Sequence, residues 1–367
     1  MKRALVHIAV AVLFTGLSAT ASTAQVDPRT ALLSQEGWNA LAEGRPSAAA
    51  AAFREALASD PRNPALHLGA GAAAYAERRD ADARTELERA VTLAPRLVEA
   101  RMLLGKVQYR TGDRLAAIAT FEGIVSDAPS MTEARATLAR WRRDADLHDR
   151  MQEVVGTSFT VSFEGPADEA LAQRVMASLD RAYWRVCARL GVFPSQRLAV
   201  VVYAPKDFTE ILQAPTWAVG AYDGTIRVSM RDALKDPAEL DRVTAHEFTH
   251  ALVGTLAPRG VPAWLDEGLA TALEADDLGW AEECLRESQA ETAPRTLAGA
   301  FSRLNASQAR LAYATSGLAV RRLLEDAGGG AVVNLLRDLG EGISLDTASL
   351  HRLNRSLADL QASAFLF

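Results

Sequence analysis

The chain has 367 residues, 49% of them hydrophobic and 23% charged, with a formal net charge of −6. That length accommodates two domains with cores of their own. The acidic balance argues against nucleic acid or an anionic membrane as partner.

At the N-terminus, Lys2 and Arg3 precede a mostly apolar stretch, Ala4 to Leu17, and the small residues Ser22, Thr23 and Ala24. This is the order of a secretory signal, so residues 1–24 are expected to be removed on export, with an uncleaved anchor as the alternative. The net charge of −6 then becomes −8, because Lys2 and Arg3 leave with the signal. No later apolar run is long enough to span a bilayer, so no integral membrane segment is expected after cleavage. The expected location is a bacterial periplasm or the outside of the cell. A disulfide is allowed there, but nothing in the spacing pairs Cys187 with Cys284. Cys187 falls in the apolar pattern Leu179, Tyr183, Val186, Leu190 and reads equally as a buried thiol.

The next hundred residues repeat. Pro61, Pro95 and Pro129 are 34 residues apart, and so are Gly37, Gly71 and Gly105. The same offset links Ala49, Ala83 and Ala117, then Phe53, Leu87 and Phe121, then Ala56, Ala90 and Ile124. Each unit reads as two helices in which small residues permit close approach and stacking completes the core. The pattern resembles the tetratricopeptide repeat. The resemblance implies three repeats over 28–129 and an all-α solenoid that binds a peptide or protein client, with a mere spacer as the alternative. Residues 130–157 are expected to form a capping helix and linker, with Ala134, Leu138, Trp141 and Leu147 inward. Arg140, Arg142 and Arg143 read as its solvated face, with an acidic partner as the alternative.

From 158 onward the pattern changes. Residues 157–164 alternate like a strand, a helix follows at about 168–190, and Leu198 to Tyr203 is a continuous apolar run. Gly220 to Val228 reads as a turn and a strand. Asp236 and Pro237 then have the order of an N-cap and first helical residue. The helix they open is expected to stop near Pro258-Arg259-Gly260, and Pro262 can open another.

These two helices carry the chemistry. His246-Glu247-Phe248-Thr249-His250 places two imidazoles on one helical face. Glu247 beside them is suited to take a proton from an attacking water. A catalytic zinc takes three protein ligands, and Glu267, in Trp264-Leu265-Asp266-Glu267-Gly268, is the natural third once the chain turns back. Asp266 and Glu274 read as solvated positions of the second helix, with orientation of a ligand histidine as the alternative role. Trp264 and Leu265 are expected to pack beneath the metal.

These residues resemble the gluzincin metallopeptidases of the peptidase MA-like group and, more distantly, the aminopeptidase N family. The resemblance spans about 158–345 and is most specific over 243–274. It implies an α+β zincin-like domain over 158–367 that hydrolyses peptide bonds, with one Zn2+ held by His246, His250 and Glu267 and with Glu247 as general base. It also implies that an edge strand before the metal helix holds the substrate backbone. Thr225 to Ser229 is the candidate, with Thr225 and Arg227 as substrate-binding residues. In the aminopeptidase N family a Gly-Ala-Met-Glu-Asn segment occupies the comparable place, and its Glu binds the substrate amine. Here the segment is Gly220-Ala221-Tyr222-Asp223-Gly224. Asp223 is one methylene shorter and Gly replaces the final Asn, which favours an endopeptidase. The alternative for Asp223-Gly224 is a plain hairpin turn.

The oxyanion also needs a donor. His7, His67, His148 and His351 are poorly placed, so a tyrosine is expected: Tyr313, which opens a helix running to Leu324, or else Tyr222. The whole reads as a multidomain protein, an all-α tetratricopeptide solenoid followed by an α+β metallopeptidase domain. Its alternative function is a binding scaffold or assembly factor whose metal domain is inactive or structural.

Overall fold

The structure is a computed structural model that describes residues 27–356, apart from 44, 166–168, 213–219, 223, 230–235 and 289–305. The expected signal, Asp223 and the apolar C-terminal residues 364–367 lie outside the described residues.

Six helices pair into three repeats: α1 (Pro28–Ala42) with α2 (Pro46–Ser59), α3 (Pro64–Ala76) with α4 (Asp80–Leu93), and α5 (Val98–Arg110) with α6 (Arg114–Asp127). The side chains of Asp27, Asn63 and Asp113 cap α1, α3 and α6. The 34-residue glycines sit where two helices touch. A Cβ on Gly37 would stand 2.7 Å from Phe53, one on Gly71 2.6 Å from Leu87, and one on Gly105 2.5 Å from Phe121. Phe53, Leu87 and Phe121 are each 0% exposed, so each contributes roughly 1.5–3 kcal/mol of burial that depends on the glycine opposite.

The capping helix α7 (Thr132–His148) closes the stack with Trp141, whose ring lies 4.5 Å from both Tyr109 and Phe121. Arg142 and Arg143 are exposed, as expected of a solvated face, and both form ion pairs. Arg142 pairs with Glu122, and Arg143 pairs with Asp207 and Glu210 of the second half.

The second half holds a five-stranded sheet in the order β1-β2-β3-β5-β4. Its strands are β1 (Gln152–Val155), β2 (Phe159–Phe163), β3 (Leu198–Tyr203), β4 (Gly220–Tyr222) and β5 (Ile226–Ser229). The neighbours β2, β3 and β5 are parallel, while β1 and β4 are antiparallel additions at the two edges. Alternation along the strands divides the core in two. Val200, Val202, Ile226 and Val228 face α8 (Glu169–Leu190) and α10 (Pro237–Leu256). Val201 and Tyr203 face the other way, onto Leu147 of α7 and Phe208 and Ile211 of α9 (Pro205–Leu212). The repeat cap is thus also a layer of the α+β unit, which the division of the sequence at 157/158 did not foresee.

The chain continues through α11 (Ala263–Glu274), α12 (Gly279–Glu287), α13 (Ala306–Ala327), α14 (Gly329–Gly340) and α15 (Leu345–Leu353). Trp264 and Leu265 are buried in the main core, as expected. Cys187 and Cys284 are both free, and burial pushes the Cys187 thiol up to about 12. No helix of the described residues is long and apolar enough to cross a membrane.

Candidate metal centre

Helix α10 begins as its sequence dictates, with Pro237 at its start and the Asp236 side chain accepting from the Ala238 amide at 2.9 Å. It ends at Leu256, and Gly260 makes the return with φ +85°. A side chain there would collide with the second repeat, since a Cβ would lie 2.1 Å from the Glu77 carbonyl. Helix α11 then runs back along α10.

The return brings His246, His250 and Glu267 together, each offering a ligand atom within 4.8 Å of the others. Glu267 Oε2 lies 3.6 Å from His246 Nε2 and 3.5 Å from His250 Nε2. Tetrahedral zinc with bonds of about 2.0–2.1 Å separates two ligand atoms by roughly 3.4 Å. Glu267 Oε2 is buried and has no hydrogen-bond partner. A buried carboxylate oxygen left unsatisfied is costly, and a cation shared with the two imidazoles would satisfy it. The residues fit zinc.

Both imidazoles are held from behind. His246 Nδ1 donates to Glu274 Oε2 at 2.7 Å, and His250 Nδ1 donates to Asp266 Oδ1 at 2.8 Å. These bonds leave the two Nε2 atoms to face Glu267. Glu274 is 3% exposed and also accepts from Arg242 at 3.1 Å. The reading of Asp266 and Glu274 as solvated positions is therefore corrected. The signal was available in the antiparallel register: once Glu267 returns to both histidines, residue 266 falls opposite His250 and residue 274, two turns on, opposite His246.

Four carboxylates surround two imidazoles, and the titration behaviour follows. Burial alone would lower His246, but Glu267 and Glu274 outweigh it and lift it to about 9. His250 is raised for the same reason by Asp266 and Glu267. Burial would raise Glu267, yet the two histidines beside it, at 3.5 and 3.6 Å, hold it below the usual carboxylate range. A bound cation would be the largest local charge in this acidic cluster. Glu247 is 7% exposed and its pKa is raised, chiefly by burial and then by Glu267 and Asp266 against the two histidines.

Tyr313 of α13 stands at the same site. Its ring centroid is 6.3 Å from that of His246. Burial first, then the charges of Glu267 and Glu247 and a hydrogen bond with Glu267, raise its hydroxyl pKa. Tyr222 lies farther along α10, with its hydroxyl near Gly254.

The strand assignment needs correction. Strand β5 lies between β3 and β4, so it is not an edge. Arg227 is 1% exposed and its guanidinium is 3.7 Å from Asp144 and bonded to the Tyr203 hydroxyl, on the face opposite the metal helix. Thr225 is buried beside the turn. Both side chains are buried. The edge is β4, and it abuts the metal helix directly: a Cβ on Gly220 would stand 2.5 Å from Glu247 Oε1. Strands β4 and β5 pair antiparallel, with Tyr222 opposite Ile226.

Comparison with known families matches residues 40–107 to the tetratricopeptide repeat. The match covers the second repeat and parts of the first and third, and it suggests a protein partner and a role in protein–protein interaction. No curated protein matches the chain.

Proposed function

We propose that the chain is an exported zinc-dependent peptidase, with one zinc held by His246, His250 and Glu267, whose repeats recruit or orient a protein client. The observation that carries this reading is the buried, unpaired Glu267 Oε2 facing two imidazole nitrogens that are each oriented by a carboxylate.

When bound, zinc supplies Lewis acidity toward water and the scissile carbonyl. The chain's own groups do the rest. Glu247, whose pKa is raised chiefly by burial, takes the proton of the attacking water and returns it to the leaving amine. The Tyr313 hydroxyl donates to the oxyanion. The edge strand of the described sheet, β4, offers backbone N–H and C=O groups to an extended peptide beside Glu247, which favours peptides over other amides. The shortened Asp223 favours internal cleavage over removal of N-terminal residues.

The reading is tested by metal content. The purified chain is expected to hold about one zinc, lost in His250→Ala and Glu267→Ala with circular dichroism unchanged. A chain that takes up no zinc at micromolar concentrations contradicts it.

A second reading rests on the tetratricopeptide match, which speaks for protein binding and not for hydrolysis. On that ground the chain is a binding scaffold whose metal domain is structural or inactive. Full zinc occupancy without cleavage of any unfolded protein favours it.

A further inference from the structure

We propose that Asp144, carried by the repeat cap, is a positioning residue for the β4–β5 hairpin, so that the repeats complete the substrate side of the site. The inference rests on the peptidase reading and deepens it.

Asp144 is 0% exposed and joins three parts of the molecule. It accepts from Tyr109 of the third repeat, accepts from Tyr203 of β3 at 2.8 Å, and lies 3.7 Å from Arg227 of β5. Arg227 stands opposite Ala221 in the β4–β5 register. Ala221 packs against the cluster that contains Leu147, one turn beyond Asp144 on α7. The other face of β4 meets Glu247 through Gly220. The edge strand is therefore held between the repeat cap and the candidate general base. The hairpin turn is fixed as well: Gly224 has φ +102°, and a Cβ on it would lie 2.7 Å from the Arg110 carbonyl at the end of α5.

A buried ion pair gains little stability over apolar groups of the same size. Its use here is geometric, since Asp144 gives Arg227, and with it the hairpin, one position relative to α7. Removing the repeats or the charge would leave the zinc ligands on α10 and α11 intact while loosening the strand that receives substrate.

The test uses the full-length, zinc-loaded chain with Asp144→Asn and the milder Tyr109→Phe, which alters only a repeat residue. Zinc content, peptide kcat and KM, and amide exchange over residues 220–229 and 237–256 are measured. Expected are unchanged zinc, faster exchange confined to 220–229, and KM raised on the order of tenfold with kcat nearly unchanged. Exchange that quickens equally in α10, or a hairpin and KM at wild-type values, overturns the proposal. If Asp144→Asn does not fold, Tyr109→Phe decides by the same readings. If the wild type cleaves nothing, the peptidase reading fails by itself, and the exchange data still decide the role of Asp144.

Discussion

Gly220 faces Glu247 with no room for a side chain between them, since a Cβ at 220 would meet the Glu247 carboxylate and its Cγ within 3 Å. The edge strand and the candidate general base are thus in direct contact. Gly220→Ala is expected to displace the Glu247 carboxylate and lower kcat/KM by roughly ten- to a hundredfold, as small misplacements of reacting groups do. Zinc content should not change. Activity within twofold of the wild type would show that Glu247 does not need its present position.

The carboxylates behind the histidines should matter unequally. Glu274→Ala leaves both His246 Nδ1 and Arg242 without their buried partner, and zinc affinity is expected to fall about ten- to a hundredfold. Asp266 has a side chain 32% exposed, so water can replace it and Asp266→Ala should cost less. Competition against a chelating dye gives both values, and equal losses would contradict the ranking.

Much of this site was legible because it is local. His246, Glu247 and His250 lie on one helix, and Glu267 follows after a short return, so helical period and one loop fix the geometry. The repeats were legible for the same reason, their glycines and large apolar residues recurring every 34 positions. What escaped depends on distant pairings. Strand β4 is three residues long, too short to alternate visibly, and its edge place is set by parallel pairing of β3 with β5. Arg227 read as a substrate residue because nothing near it in sequence announces Asp144, 83 positions away on the repeat cap.

The repeat glycines give a stability test. Gly105→Ala forces a methyl against Phe121 and is expected to cost about 1–3 kcal/mol by overpacking. Gly330→Ala on α14 meets nothing within 4 Å and should be neutral or slightly stabilising. Urea unfolding followed by circular dichroism compares them, and equal midpoints would contradict the helix contact.

Acid should weaken the joint between the repeats and the sheet. Burial would raise Asp144, but a hydrogen bond with His148, the charge of Arg227 and a hydrogen bond from Tyr109 hold it well below the usual carboxylate range. Its folded pKa is thus below the unfolded value of about 3.9, so its contribution is full above that value and is lost as pH falls toward the folded one. The urea midpoint is expected to drop between pH 5 and pH 3, and to drop less in Asp144→Asn. The same acid slope in both proteins would assign the loss to other groups.

The most direct measurement pairs zinc content with cleavage of an unfolded protein such as casein, in the wild type and in Glu247→Gln. Glu247 is not a ligand in this account, so both proteins should carry about one zinc per chain and only the wild type should cleave. Cleavage by Glu247→Gln at the wild-type rate, or a wild type without zinc, would contradict the assignment of this site.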